Sequence, residues 1–163
     1  MIFLTVGTQF PFDRLVKSVD EALGQNGFKE EVLAQIGHTF YQPRNFEAVC
    51  SLDRHIFDRY IRQASHIISH AGIGTITMAL DNNKPLLVMP RRKCFREHVN
   101  DHQVATARKF EQLGHILVAH QENELPTKMG QLRTFMPRKR EAQPHAVAER
   151  IAQFLHELNV TKE

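Results

Sequence analysis

The chain has few cysteines and no long apolar run. Its two cysteines, Cys50 and Cys94, form no CxxC pair, so neither a disulfide framework nor a thiolate zinc site finds support. No apolar stretch approaches the roughly 20 residues that a membrane-spanning helix needs. The opening residues MIFLTV lack the basic start and the cleavage region of a signal peptide. These absences predict a protein of the reducing cytoplasm.

The composition is that of an ordinary folded protein. Hydrophobic residues make up 42% and charged residues 24% of the chain, which argues against a disordered or fibrous class. A length of 163 residues suffices for one well-buried domain but not for two domains of nucleotide-binding size. We therefore expect residues 1–163 to form a single domain.

The charge balance leaves several partners open. A net charge of +3 with 10 histidines suits a nucleic acid, an anionic membrane face or a nucleotide. Two basic clusters, residues 91–93 and 138–140, are not interleaved with aromatic residues as a base-stacking platform would be. We expect solvated loops at both clusters and no nucleic-acid partner. A steep salt dependence of RNA or DNA binding would indicate the opposite.

Strand and helix patterns alternate along the whole chain, which is typical of βαβ units around a parallel sheet. Apolar residues at helical spacing predict a first helix that follows the first strand and ends at Gly24, and a second helix capped by Ser51. Two more helices are predicted at 75–83 and at 101–113, the latter with Asn100 as its cap. An amphipathic helix at 147–158 closes the chain. The predicted strands are 2–6, 32–36, 46–50, 66–69, 85–89 and 115–119. The pattern predicts one α/β domain with a doubly wound, Rossmann-like parallel sheet, whose ligands lie beyond the carboxyl ends of the strands.

Three strand-to-helix loops, residues 7–9, 70–75 and 91–103, are expected at that edge. Helix N-termini offer free N–H groups and a partial positive charge, and glycines let a diphosphate approach them. A glycine pair alone also suits a simple tight turn. NAD binding is disfavoured because Thr77 stands where a dinucleotide motif has its third glycine or alanine, and a GxxxxGK[ST] phosphate loop does not occur.

Three motifs in fixed order carry a family resemblance. They are SHAGIGT at 69–75, KPLLVMPR at 84–91 and EHVNDHQ at 97–103. Together they resemble the C-terminal domain of glycosyltransferase family 28. The opening TVGT at 5–8, followed by FDRL at 12–15, is similar to the start of the family's stand-alone small subunits.

The resemblance implies the donor-binding half of a GT-B glycosyltransferase. In paired members, it implies, this half binds a UDP-sugar while a membrane-associated subunit brings a lipid-linked saccharide acceptor, so the chain would reach the inner membrane through that partner. The donor itself is the substrate, and no cofactor is implied. The implied site has His70, Gly72, Gly74 and Thr75 on the diphosphate, Gly7 and Thr8 lining the cleft, and Asp101 and Gln103 facing the donor sugar.

One position departs from the family pattern. Many members have a glutamate, associated with the ribose, where this chain has Met78. Asp81 lies on nearly the same helix face and offers a substitute carboxylate, although a solvated surface position is the simpler interpretation. The departure also keeps open a catalytically silent binding or regulatory subunit with the same fold.

Two neighbouring histidines are candidate metal ligands, and a catalytic base is also needed. His98 and His102, four residues apart, could share a metal ion, but residue 98 precedes the expected helix and no third ligand is evident, so we predict no metal site. Displacement at the anomeric carbon needs a stabilised UDP leaving group and a base. Helix N–H groups near Gly74, with His70 and Arg91 or Arg92, can serve the first need. No residue pattern indicates the base, and the catalytic residues stay unassigned.

Overall fold

The computed structural model describes residues 1–26 and 30–139. In that part of the chain five helices, α1 to α5, alternate with six strands, β1 to β6, and short 3-10 turns cover Lys93–Phe95 and Glu122–Glu124. The strands are β1 (Ile2–Thr5), β2 (Val32–Gln35), β3 (Glu47–Val49), β4 (His66–His70), β5 (Leu86–Met89) and β6 (Leu117–Val118). The helices are α1 (Asp13–Asn26), α2 (Arg54–Gln63), α3 (Ile73–Asp81), α4 (His102–Gln112) and α5 (Leu125–Leu132).

All six strands join one parallel sheet in the order β3-β2-β1-β4-β5-β6. The predicted doubly wound α/β fold is therefore confirmed. The chain first builds outward from β1 to β3 and then crosses back to β4, so the strand order reverses between β1 and β4. A crevice at such a reversal is where open α/β sheets bind their ligands.

Apolar side chains cover both faces of the sheet, as an all-parallel sheet requires. Successive strand residues point to opposite faces, and so the fully buried neighbours Phe3 and Leu4 belong to different core clusters. Leu4 packs with residues of α1 and α5, and Phe3 packs with residues of α2, α3 and α4. Helices on both sides thus hold the sheet rigid and fix the loops at its carboxyl edge.

The predicted cap at Ser51 is wrong. Helix α2 starts at Arg54, with Asp53 at the capping position. The reason is that residue 50 is still tied to the sheet: its carbonyl accepts the N–H of Gly37 at 2.9 Å and the side-chain amide of Gln35 at 3.2 Å. Helical geometry can begin only after the chain has left that edge.

Two other helix predictions need correction. Asp101, not Asn100, occupies the capping position of α4, although the Asn100 Oδ1 accepts the His102 N–H at 3.2 Å. Helix α5 was not predicted at all, because its buried stripe of Leu125, Met129 and Leu132 is short and Gly130 interrupts it. Proline in its first turn was the available signal. The predicted closing helix at 147–158 lies outside the described residues.

Within residues 1–26 and 30–139, no helix is both long and apolar enough to cross a bilayer.

Candidate functional site

An open cavity of about 360 Å³ lies at the carboxyl edge of the sheet, where the loops after β1, β4 and β5 meet. It therefore occupies the reversal point of the sheet. Seven of the eight residues predicted to bind the donor line it, and Asp101 does not. The lining residues are Gly7, Thr8, Gln9, His70, Gly72, Ile73, Gly74, Thr75, Arg91, His98, His102 and Gln103.

Positions 7 and 72 have no room for a larger residue than glycine, because the imidazole of His70 lies against both Gly7 and Gly72. A Cβ on Gly72 would come within 2.2 Å of the His70 Nε2, and one on Gly7 within 2.8 Å of its Cε1. Gly7 also has a φ of 76°, which side-chain-bearing residues rarely adopt. These two glycines have structural reasons of their own.

Gly74 has no such reason. A Cβ there would meet nothing within 4 Å, and its φ is not in the left-handed region. It lies in the first turn of α3, whose cap Gly72 provides no side-chain hydrogen bond. The first N–H groups of a helix have no partner inside the helix, and Ile73, Gly74 and Thr75 all line the cavity. The open space above Gly74 thus leads directly to free donors at the positive end of a helix.

His70 is held as a neutral imidazole. Burial first, and then the charge of Arg91, lower the pKa of His70 to about 4. The Ser69 hydroxyl donates to the Thr5 carbonyl at 2.8 Å and lies 3.1 Å from the His70 Nδ1. Because the hydroxyl proton is directed to the Thr5 carbonyl, the neutral ring best accommodates its own proton on Nδ1, beside Ser69 and the Thr5 backbone. Nε2 is then a free acceptor beside the two glycines.

Arg91 brings a buried positive charge to the cavity wall. Its side chain is part of a residue only 2% exposed, and Nη2 donates to the carbonyls of Val6 at 2.8 Å and Phe10 at 2.5 Å. Burial lowers the pKa of Arg91 to about 10, so the guanidinium stays charged at neutral pH. Its Nε is buried without a hydrogen-bond partner. The arginine therefore anchors the loop after β1 and keeps a positive charge beside the cavity.

The two residues predicted to face the sugar are placed differently. Gln103 is 3% exposed and lines the cavity, where its Oε1 accepts the Arg91 N–H at 3.1 Å. Asp101 is exposed, and its Oδ1 accepts the Lys93 N–H at 2.8 Å. The helix start brings Gln103 inward and leaves Asp101 at the rim. Their roles toward a sugar stay predictions.

A buried ion pair, which sequence reasoning missed, fixes the loop after β5. The Arg14 Nε and Nη2 donate to both carboxylate oxygens of Glu97 at 2.7 and 2.8 Å, and Nη2 also reaches the Pro90 carbonyl at 2.9 Å. The same carboxylate accepts the Arg92 N–H at 2.9 Å. Both side chains are 10% exposed, so the bidentate pair is shielded and holds the loop firmly.

Gln35 performs a similar task for the loop after β1, and was also missed. It is 2% exposed, accepts the Thr5 hydroxyl proton at 2.6 Å and donates to the carbonyl of Gly7 at 3.0 Å. A signal existed, because an amide in a strand buried on both faces must find partners. Gln35 positions Gly7 without reaching the cavity itself.

His98 and His102 add two imidazoles to the cavity wall, with ring centres 4.5 Å apart. Burial, followed by His102 and Arg91, lowers the pKa of His98, and its Nδ1 is buried without a partner. Residue 98 precedes α4, as expected. Across residues 1–26 and 30–139, no group of three or more histidine, cysteine or acidic side chains could hold a metal ion.

Met78 does not reach the cavity. Its half-buried side chain packs against the core cluster that contains Phe3, and Asp81, the suggested substitute carboxylate, is exposed at the end of α3. Neither residue is among those lining the cavity.

Sequence comparison identifies the family. A family model, the glycosyltransferase family 28 C-terminal domain, matches residues 1–158. The chain belongs to this family. The matched range includes all three loops that form the cavity. The cavity therefore belongs to the part of the chain that defines it as a family 28 member.

Similarity to individual relatives extends over part of their length. The UDP-N-acetylglucosamine transferase subunit ALG13 of Homo sapiens is 31% identical over 132 residues, and the match covers 71% of this chain and 10% of the human protein. ALG13 of Eremothecium gossypii is 46% identical over 54 residues, or 32% of this chain and 24% of that protein. The chain thus spans about a tenth of the length of the human relative.

A solved structure supports the fold. The NMR solution structure of ALG13 superposes with a TM-score of 0.60 and 21% identity, covering 92% of this chain and 93% of that chain. The fold described above is therefore shared with that structure.

Proposed function

We propose that this chain is the donor-binding subunit of a UDP-sugar-dependent glycosyltransferase. In this proposal the cavity at the reversal of the sheet holds the diphosphate, and a membrane-associated partner brings a lipid-linked saccharide acceptor. A hexose or an N-acetylhexosamine is the transferred sugar. The ALG13 relatives are UDP-N-acetylglucosamine transferase subunits, which makes UDP-N-acetylglucosamine the first donor to test.

The observation that carries the proposal is the unobstructed path to the start of α3. Gly74 has no packing neighbour for a side chain and no need for an unusual backbone angle. A glycine kept at such a position is understandable when a ligand occupies the space. The free N–H groups of the first helical turn suit an anion, and a diphosphate is the anion that a nucleotide-sugar presents there.

The cavity also suits the chemistry of the departing nucleotide. Negative charge grows on the diphosphate as the bond to the sugar breaks, and fixed donors in a shielded site stabilise such charge strongly. Arg91 supplies a buried cation at the cavity wall, and the α3 terminus supplies N–H groups. Both contributions work without a bound metal. The acceptor's base is left to the partner, since the cavity offers no pair of carboxylates.

Two matched glycine substitutions, one at the cavity and one away from it, test donor binding. Gly74→Val fills the approach to α3, whereas Gly130→Val places the same side chain on an exposed glycine of α5, where a Cβ also meets nothing within 4 Å. Losing charge-assisted hydrogen bonds of about 1.5–3 kcal/mol each predicts a UDP affinity at least tenfold lower in Gly74→Val. Calorimetry should show unchanged affinity in Gly130→Val. Equal UDP affinity in both folded variants would contradict the proposal.

A transfer assay distinguishes the proposed transferase subunit from a non-catalytic subunit with the same fold. The purified chain alone should transfer little sugar, because residues 1–26 and 30–139 offer no second wall for an acceptor, and transfer should appear when a co-purified membrane partner and a lipid-linked acceptor are added. Gly74→Val in that mixture should abolish transfer. A mixture that binds UDP in this chain yet transfers equally well with Gly74→Val would indicate a non-catalytic subunit.

A further inference from the structure

A second surface beside the donor cavity combines exposed apolar and basic side chains. It consists of Phe10, Lys93, Phe95, Arg96 and Val99, which we call the apolar-basic surface. A shallow depression of about 330 Å³ lies between four of them and His98. The exposed fractions are 39% for Phe10, 48% for Phe95 and 70% for Val99. Phe10 and Val99 thus face solvent at the depression, and Phe95 is exposed on the same loop.

The loop that carries this surface is held in a defined shape. The Arg14–Glu97 pair anchors it below, and the Arg14 guanidinium lies 4.7 Å from the ring centre of Phe95. Arg96 has a φ of 58°, an unusual conformation for a residue with a side chain, and its N–H donates to the Lys93 carbonyl at 2.9 Å. The exposed apolar groups are therefore presented on a fixed loop.

Cations outnumber the exposed carboxylates of the loop, where Asp101 is the one exposed acid against Lys93 and Arg96. Lys93 and Arg96 are exposed, and Arg92 is half-buried beside Phe95, with its guanidinium 5.7 Å from the ring centre. Of the two acidic residues between 91 and 101, Glu97 faces inward to Arg14, and one oxygen of Asp101 accepts a backbone N–H. Cations surrounding apolar groups are complementary to a lipid surface with anionic headgroups.

The size of the surface also favours lipid over protein. A stable protein interface buries about 800 Å² on each partner, contributed by roughly 20–30 residues. Here five side chains, four of them from one loop, make up the surface. A few inserted apolar groups with two or three cations suffice for reversible attachment to a membrane.

We propose that the apolar-basic surface binds directly to a bilayer containing anionic lipids. The proposal goes beyond donor binding, because it gives this chain its own lipid contact besides any partner subunit. Phe10 packs edge-on against His98 at 5.4 Å, and His98 lines the donor cavity as well. Attachment through this surface brings the mouth of the donor cavity to the level of the lipid headgroups.

Vesicle co-sedimentation of the full chain tests the proposal. Wild-type protein should sediment with phosphatidylcholine vesicles containing phosphatidylglycerol, should bind pure phosphatidylcholine much less, and should be released by salt. Each cation near an anionic surface strengthens binding about fivefold, so the pair Lys93→Gln and Arg96→Asn should lower the affinity about 25-fold. Asparagine suits position 96 because it tolerates a positive φ.

Matched variants control for net charge and for loss of an apolar group. Arg59→Gln with Arg62→Gln removes the same two charges from exposed positions on α2, which leads into β4 at the opposite edge of the sheet. Val99→Ser should weaken vesicle binding about three- to tenfold, whereas Met136→Ser, at a residue 85% exposed elsewhere, should not. Thermal melting of each variant checks that the fold is intact.

Three results would overturn the proposal. The first is equal binding of wild type to neutral and anionic vesicles. The second is an equal loss of affinity in the loop pair and the α2 pair, which would show that only net charge matters. The third is no vesicle binding together with a dimer in sedimentation that Val99→Ser dissociates, since the surface would then bind a second copy of the chain.

Discussion

Replacing Gly72 with alanine should destabilise the protein through a single collision. The new Cβ would lie 2.2 Å from the Nε2 and 2.9 Å from the Cδ2 of His70. The φ of Gly72 is −80°, so the backbone accepts alanine and only the contact is unfavourable. The ring has little room to move, because its other side lies against Gly7. Overpacking of this kind costs about 1–3 kcal/mol.

A double-mutant cycle isolates that collision. Urea unfolding of wild type, Gly72→Ala, His70→Ala and the double variant should show a coupling energy of about 1–2 kcal/mol, because Gly72→Ala costs little once the ring is gone. Gly74→Ala serves as the control and should be neutral or slightly stabilising, since nothing lies near its Cβ. Additive costs of the two substitutions, or equal costs at positions 72 and 74, would refute the assignment of Gly72 to the His70 ring.

Three further predictions concern the charged groups of the site. The pKa of His70 is lowered from 6.5 to about 4 in the folded protein, so the unfolded chain binds more protons between those pH values. The free energy of unfolding should therefore fall by up to about 3 kcal/mol as the pH drops from 6.5 to 4. In a pH series of urea melts, His70→Gln should flatten this dependence, and an unchanged slope would contradict the assignment. If a protonated His70 ring donates to the diphosphate, binding of UDP-N-acetylglucosamine at pH 6 should be accompanied by proton uptake, which calorimetry in two buffers of different ionisation heat measures. This donor avoids the terminal phosphate of UDP, which itself titrates at about pH 6. Equal heats in both buffers would mean that His70 does not become charged on binding. Glu97→Gln leaves the shielded Arg14 with only the more distant and half-exposed Glu122 carboxylate at 3.8 Å and should lower the free energy of unfolding by about 2–4 kcal/mol, whereas a loss below about 0.5 kcal/mol in urea melts would mean that the pair does not hold the loop.

The sheet could be predicted from the sequence because its signals are local. Each strand is a short apolar run, and each is followed by a polar or glycine-containing loop, so the order of elements placed three loops at one edge. Gly7, Gly72 and Gly74 were found in this way, and the structure brings all three to one cavity. Helix α5 escaped prediction because eight residues with a central glycine carry too little periodicity.

The contacts that hold the site could not be read from spacing. Arg14 and Glu97 are 83 residues apart, and Gln35 acts on Gly7 across 28 residues. Parallel sheets join distant parts of a chain, so pairings of this type depend on tertiary packing rather than on local pattern. The exposure of Asp101 has the same origin, since it depends on where α4 begins relative to the loop anchored by Glu97.

An NMR titration shows directly whether the cavity at the start of α3 binds the diphosphate of a nucleotide. Amide resonances of ¹⁵N-labelled protein should be followed while UDP, and then UMP, is added. The largest UDP shifts should appear at residues 7–9 and 72–75, with much weaker binding of UMP because it lacks the second phosphate. Equal binding of the two nucleotides, or UDP shifts confined to residues outside this cavity, would contradict diphosphate binding there.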